Sequence, residues 1–133
     1  MAKWKLDLDN PDQTTIMDPS WDQIEQALDR LDGENLDNLS LTRIGKGSLI
    51  CGGGNFVDGK RRYIVTYQPE NDDDSVTLVD PSLSGPDIEL TVQSTVKLPA
   101  EFCVKKPLMK QAFKRKNWQT NLFGNHKEEL APR

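Results

Sequence analysis

Any nucleophilic or metal-based chemistry in this chain would draw on a very short supply of side chains. There is one histidine, His126, and there are two cysteines, Cys51 and Cys103. Acid–base and metal work by histidine requires an imidazole positioned by partners, and His126 stands in a polar C-terminal stretch that reads as a solvated tail. Neither G-x-S-x-G nor H-E-x-x-H occurs. The cysteines are far apart, form no C-x-x-C pair and sit inside apolar strand-like text. They read as small buried hydrophobes, without a disulfide and without enough companions to hold a metal.

Three other clusters could carry chemistry. Gly52-Gly53-Gly54 invites a phosphate-cradle reading, but a Walker loop needs G-x-x-x-x-G-K-[ST] opening a helix. Here the glycines follow a strand and precede a hairpin, so a bulge or a close backbone approach is expected. Asp72-Asp73-Asp74 lacks the spaced ligands of a calcium loop. It reads as a solvated acidic loop tip that keeps the hairpin soluble, with recognition of a basic partner beside Tyr67 as the alternative. Lys105, Lys106, Lys110, Lys114, Arg115 and Lys116 have no stacking array of aromatics around them and read as the polar outer face of an amphipathic helix. The expected catalytic, cofactor and metal sets are therefore empty, and the protein is read as a non-enzyme that binds another macromolecule.

The elements that must position these residues can be traced from periodicity. Trp4, Leu6 and Leu8 alternate with charged residues and predict a first strand. Asp18-Pro19-Ser20 predicts a helix start with Asp18 as N-cap and Pro19 at the first helical position. Trp21, Ile24, Leu28 and Leu31 then give one apolar stripe, and Gly33 offers a left-handed stop, so the helix is placed at about 19–32. Strands are expected around Leu39–Leu41, Leu49–Cys51, Arg62–Tyr67, Val76–Val79 and Ile88–Val92. Gly45-Lys46-Gly47 and Asp58-Gly59 serve as hairpin turns, and the glycine triplet interrupts the second of these strands. A second helix, about 105–116, carries Leu108, Met109, Ala112 and Phe113. Trp118, Leu122 and Phe123 could pack back on the body. The fold class is α+β: an antiparallel meander of about six strands with one helix near each end. It forms a single domain over 1–133, of which 124–133 reads as a flexible tail.

Composition fits that picture. The chain has 133 residues, 35% hydrophobic and 29% charged, enough for one core without staples. It contains no apolar run of the roughly 20 residues that a bilayer demands and no apolar leader, so a cytoplasmic protein is expected. The net charge of −4 is unevenly spread. Residues 1–100 hold 18 acidic and 9 basic side chains, whereas residues 101–133 hold 3 and 8. Such a body repels nucleic acid and attracts a basic protein.

The order Pro19-Ser20-Trp21-Asp22-x-Ile24-Glu25-x-Ala27-Leu28-x-x-Leu31-Asp32-Gly33, then Leu39-x-Leu41, Leu49 to Gly54 and Tyr63-x-Val65-x-Tyr67, resembles the bacterial immunity proteins of polymorphic-toxin and contact-dependent inhibition systems. It is similar in particular to immunity family one. Cys103-Val104 and Leu108 to Phe113 follow in the expected order, so the resemblance spans about residues 4–116. Gln93-Ser94-Thr95 stands where many relatives carry Gly-Gly-Gln. The resemblance implies a non-enzymatic antitoxin that binds a cognate toxin domain, often a nucleic-acid deaminase or nuclease, and blocks its active site. Candidate toxin contacts, chosen by charge, are Glu70 with Asp72, Asp73 and Asp74, and a helix patch of Asp22, Glu25 and Asp29. The expected partner is that basic toxin domain, with no nucleic acid, membrane or cofactor, and the protein is expected as a monomer or weak dimer. Readings of a different class are a small-ligand or nucleotide sensor lined by Gly52–Gly54, and an RNA-binding module using Lys110 and Lys114.

Overall fold

The computed structural model describes residues 2–9, 13–70 and 75–115. Its fold is α+β, as expected. Alternation of apolar and polar residues builds the main sheet from β1 (Trp4–Leu8), β2 (Thr14–Met17), β3 (Asn38–Arg43), β4 (Gly47–Val57), β5 (Lys60–Pro69) and β6 (Val76–Thr77), in the order β2-β1-β3-β4-β5-β6. A seventh strand, β9 (Val104–Lys105), pairs with β5 beyond β6. The remaining strands, β7 (Ile88–Val92) and β8 (Ser94–Leu98), form a separate hairpin, and every pairing is antiparallel. The count exceeds the six expected because β2, β8 and β9 are too short or too polar to announce themselves by alternation.

Register aligns the apolar rows. Ile16, Leu6, Leu41, Leu49, Tyr67 and Val76 run across one face, and Leu8, Leu39, Cys51 and Val65 run beside them. Against this face pack Ile24, Ala27 and Leu28 of α1 (Trp21–Asp29) and Met109, Ala112 and Phe113 of α2 (Lys106–Arg115), in one continuous core. Burying each leucine or phenylalanine there contributes roughly 1.5–3 kcal/mol.

The first helix begins later and ends sooner than expected. Its N-cap is Ser20, whose Oγ accepts from the Gln23 amide at 3.2 Å while the Gln23 side chain accepts from the Ser20 amide at 2.9 Å. This reciprocal capping box outcompetes Asp18. Asp18 adopts φ 47° instead and its carboxylate accepts from the amides of Lys3 and Trp4 at 2.9 and 3.0 Å, tying the entry of β1 to the exit of β2. The helix stops at Asp29, and Gly33 (φ 78°) belongs to a following turn in which the Asp32 carboxylate accepts from the amides of Glu34, Asn35 and Leu36. The second helix falls where expected. Trp118, Leu122, Phe123, His126 and the 124–133 tail lie outside the described residues, as does Lys116.

β4 does not break at the glycine triplet. It runs through, with a register shift against β5 between Gly53 and Phe56. The Asp58-Gly59 turn closes the β4–β5 hairpin with φ 53° and 81°, the doubly left-handed geometry of a type I′ turn.

Candidate protein-binding surfaces

The two helices lie side by side, and the acidic patch expected on α1 is largely committed between them. Lys110 Nζ stands 2.8 Å from Asp29 Oδ1 and 3.1 Å from Glu25 Oε2, and Lys106 Nζ lies 3.1 Å from Asp29. Partial desolvation opposes ionisation of Asp29, but the hydrogen bonds from Lys110 and Lys106 outweigh it and hold the carboxyl below its ordinary range. Desolvation likewise opposes the Lys110 charge and is outweighed by Asp29 and Glu25, so its pKa is raised. Glu25 and Asp29 thus fasten α2 to α1, whereas Asp22 stays exposed in the first turn. The same geometry corrects the reading of the lysines as a purely outward face. Lys110 is interhelical, and the Lys114 ammonium sits 5.8 Å from the centre of the Trp21 ring.

Glu70 has a local task as well. Its carboxylate accepts from the Gly45 amide at 3.1 Å, and its own amide donates to the Lys46 carbonyl at 2.9 Å, clasping the β3–β4 turn. Asp72, Asp73 and Asp74 lie outside the described residues. Tyr67 points into the core, with its hydroxyl toward the Lys46 carbonyl, so its ring is withdrawn from partner contact.

The glycine triplet has a packing role. A Cβ on Gly52 would strike Val92, one on Gly53 would crowd the Arg62 carbonyl and Leu90, and one on Gly54 would strike the Leu31 carbonyl group and the Asp32 amide. Gly53 and Gly54 also hold φ 95° and 101°, where side chains are strained. The triplet lets the β7–β8 hairpin lie on the sheet face opposite the helices and lets the loop after α1 close on β4. Asn55 fixes the same junction: its Nδ2 donates to Thr91 Oγ1 at 3.1 Å and its Oδ1 accepts from the Thr91 amide at 2.9 Å. Val92, Leu90 and Leu31 thus stand directly against the triplet.

Elsewhere on that second face the described side chains are exposed or half-buried. Register sets Thr15, Asp7, Ser40, Ile50, Thr66 and Thr77 in one row and Met17, Lys5, Thr42, Ser48 and Gln68 in the next. Hydroxyls bond within the surface, Thr42 to Ser48 at 2.8 Å and Thr15 to the Asp7 carboxylate at 2.6 Å. Ile50, 37% exposed, is the apolar centre. At the β1–β2 end a cavity of about 330 Å³ is lined by Asp7, Leu8, Asp9, Gln13, Thr14, Thr15 and Ser40. It is an acidic notch opening on a flat, small-residue surface. Sequence reasoning passed over Asp7 and Asp9 because β2, which walls the notch, has no alternation to reveal it.

The two thiols are withdrawn from solvent. Cys51 and Cys103 are free and fully buried, and desolvation pushes both thiols up, away from the reactive thiolate. Burial also raises the Tyr63 hydroxyl, to about 12. Among the described residues no group of three or more His, Cys, Asp or Glu side chains could hold a metal ion. No helix among them is long and apolar enough to cross a membrane.

No protein-family model, curated protein or solved structure matches this chain.

Proposed function

We propose that the protein is an antitoxin: an immunity protein that binds one cognate bacterial toxin domain, of the nucleic-acid deaminase or nuclease kind, and masks its active site. The observation that carries the reading is a sheet face of exposed and half-buried side chains, among the described residues, with the acidic notch of Asp7 and Asp9 at its edge. A surface of Ser, Thr and one Ile loses little rotamer freedom on docking, and its hydroxyls offer donors and acceptors. The notch is large enough to take an arginine or lysine side chain from the partner. Enzymes acting on nucleic acid need basic clefts, and the charge of residues 1–100 steers such a cleft toward this surface.

The resemblance supports the same reading in a specific way. The residues that carry it, from Ser20 and Ile24 through the glycine triplet to Tyr63 and Val65, are framework: caps, core and close approaches. A family that shares framework while varying its surface suits proteins that must each recognise a different toxin. Asp22 remains a candidate contact, while Glu25, Asp29 and Glu70 serve first to hold the scaffold.

The deciding experiment mixes the purified protein with the toxin domain encoded beside it. A one-to-one complex burying on the order of 1,600 Å² and loss of toxin activity are expected. Absence of a complex, or toxin activity unchanged by saturating protein, sinks the proposal. Asp7→Lys and Asp9→Lys together are expected to weaken binding by roughly tenfold or more, as when a charged anchor is reversed.

A further inference from the structure

The acidic body contains one concentrated basic region, and the fold completes it. Three of the nine basic residues among positions 1–100 stand together as Lys60-Arg61-Arg62 at the start of β5. Strand β9 pairs there in register, Arg62 opposite Lys105 and Tyr63 opposite Val104, and Lys106 opens α2 immediately afterwards. Two basic runs far apart in sequence thereby face one cavity of about 390 Å³, lined among the described residues by Lys60, Arg61, Lys105, Lys106 and Pro107, with no carboxylate among them.

Parts of this cavity are already held in place. The Arg61 guanidinium lies 4.1 Å from the centre of the Phe56 ring and donates to the Gly54 carbonyl at 2.7 Å. Arg62 is turned to the Cys103 carbonyl at 3.0 Å, locking β5 to the segment that delivers Lys105. Lys106 shares its charge with Asp29. Among the described residues the ion pairs involve only Lys5, Lys106 and Lys110, so Lys60, Arg61 and Lys105 face the cavity without a carboxylate partner.

We propose that this cleft binds a small oligophosphate, the di- or triphosphate group of a compact metabolite. Three uncompensated cations and a fourth half-compensated one call for a ligand with more than one negative charge, and the volume exceeds what a single phosphate fills. Arg61 supplies a preorganised planar donor, and the lysines supply mobile point charges. A long polyanion is disfavoured because the next lysines along α2 are already engaged, Lys110 with Asp29 and Glu25 and Lys114 beside the Trp21 ring. The proposal is independent of the antitoxin reading, since the cleft lies at β5, β9 and α2 whereas the proposed toxin face is centred on β1, β3 and β4.

The test titrates the full-length protein with sodium tripolyphosphate and, separately, with ATP, an acidic hexapeptide and a single-stranded oligonucleotide. Tripolyphosphate is expected to shift the amide resonances of residues 60–62 and 104–107 selectively. It is also expected to raise the melting temperature by roughly 10 °C at about a hundredfold excess over Kd. Lys60→Glu with Lys105→Glu, both at exposed positions, is expected to weaken binding roughly tenfold or more. Resonances that do not move at millimolar tripolyphosphate overturn the proposal, as does tighter binding of the peptide or the oligonucleotide. Undiminished binding by a charge-reversed variant with native melting behaviour overturns it as well. Should that variant fail to fold, the resonance map of the unaltered protein decides the matter. A response to ATP no larger than to tripolyphosphate identifies the phosphates alone as the recognised group, and a larger response adds a nucleoside contact beside Phe56.

Discussion

Lys110 on the second helix reaches Asp29 on the first at 2.8 Å, and the same ammonium takes Glu25 at 3.1 Å, so one cation bridges two turns of the neighbouring helix. The groups are partly exposed, which screens the interaction. Removing Lys110 as Ala is expected to cost about 0.5–1 kcal/mol, and a double-mutant cycle with Asp29→Asn should return most of that as coupling. The signs of the pKa shifts set the pH window. Asp29 is depressed below 3.8, so its contribution is present above that pH and is lost as pH falls through the folded value. Lys110 is raised above 10.5, so its contribution is present below that pH and is lost as pH rises through the folded value. Urea melts should therefore show a coupling that is constant at neutral pH and declines in acid, below the ordinary carboxylate range, as Asp29 is protonated.

Gly54 should be the least replaceable glycine. Gly54→Ala places a methyl against the Leu31 carbonyl group at φ 101°, combining backbone strain with overpacking, and is expected to cost about 2–5 kcal/mol. Gly59→Ala, at φ 81° with open space around it, should cost only the strain, about 1 kcal/mol. Equal losses in thermal melts would refute the packing account.

The cap assignment makes its own distinction. Ser20→Ala should lower stability by about 1 kcal/mol and fray the start of α1. Asp18→Ala should leave α1 intact and loosen the junction of β1 and β2, visible as faster amide exchange at Lys3 and Trp4.

Asn55 is expected to control the β7–β8 hairpin. Asn55→Ala removes both bonds to Thr91. Exchange of amides 88–98 should then accelerate while that of β3 and β5 stays slow; a uniform acceleration would assign Asn55 to the core instead.

Both thiols should be inert to an aromatic disulfide reagent in the native protein and react together on unfolding, because Cys51 and Cys103 are fully buried. Rapid native labelling of either contradicts that placement.

Much of this architecture was legible in the residues themselves. Alternation at Trp4–Leu8, Leu39–Leu41 and Ile88–Val92 and the Asp58-Gly59 turn are local signals, and each appears where it was read. The misreadings concern choices between neighbours. Asp18 and Ser20 are both good caps, and only the Gln23 side chain decides between them. The glycine triplet resembled a break because its reason, the arrival of Val92, Leu90 and Leu31, is made of residues distant in sequence. The surface was less legible still. Glu25 and Asp29 looked like free acids until α2 brought Lys110 to them, and the notch of Asp7 and Asp9 needed β2 to exist.

The placement of β9 and α2 also governs how the protein comes into being. Phe113 and Met109 are fully buried in the same core as Leu28, Tyr63 and Val65, yet they lie beyond every other strand in the order of synthesis. On the ribosome the hairpins and α1 can form as they emerge, but the part of the sheet's apolar face that α2 covers stays open until the segment from Val104 to Phe113 has cleared the exit tunnel. Contacts this distant close slowly, so the nascent protein passes through a window in which its interior is offered to chaperones, proteases and its own neighbours.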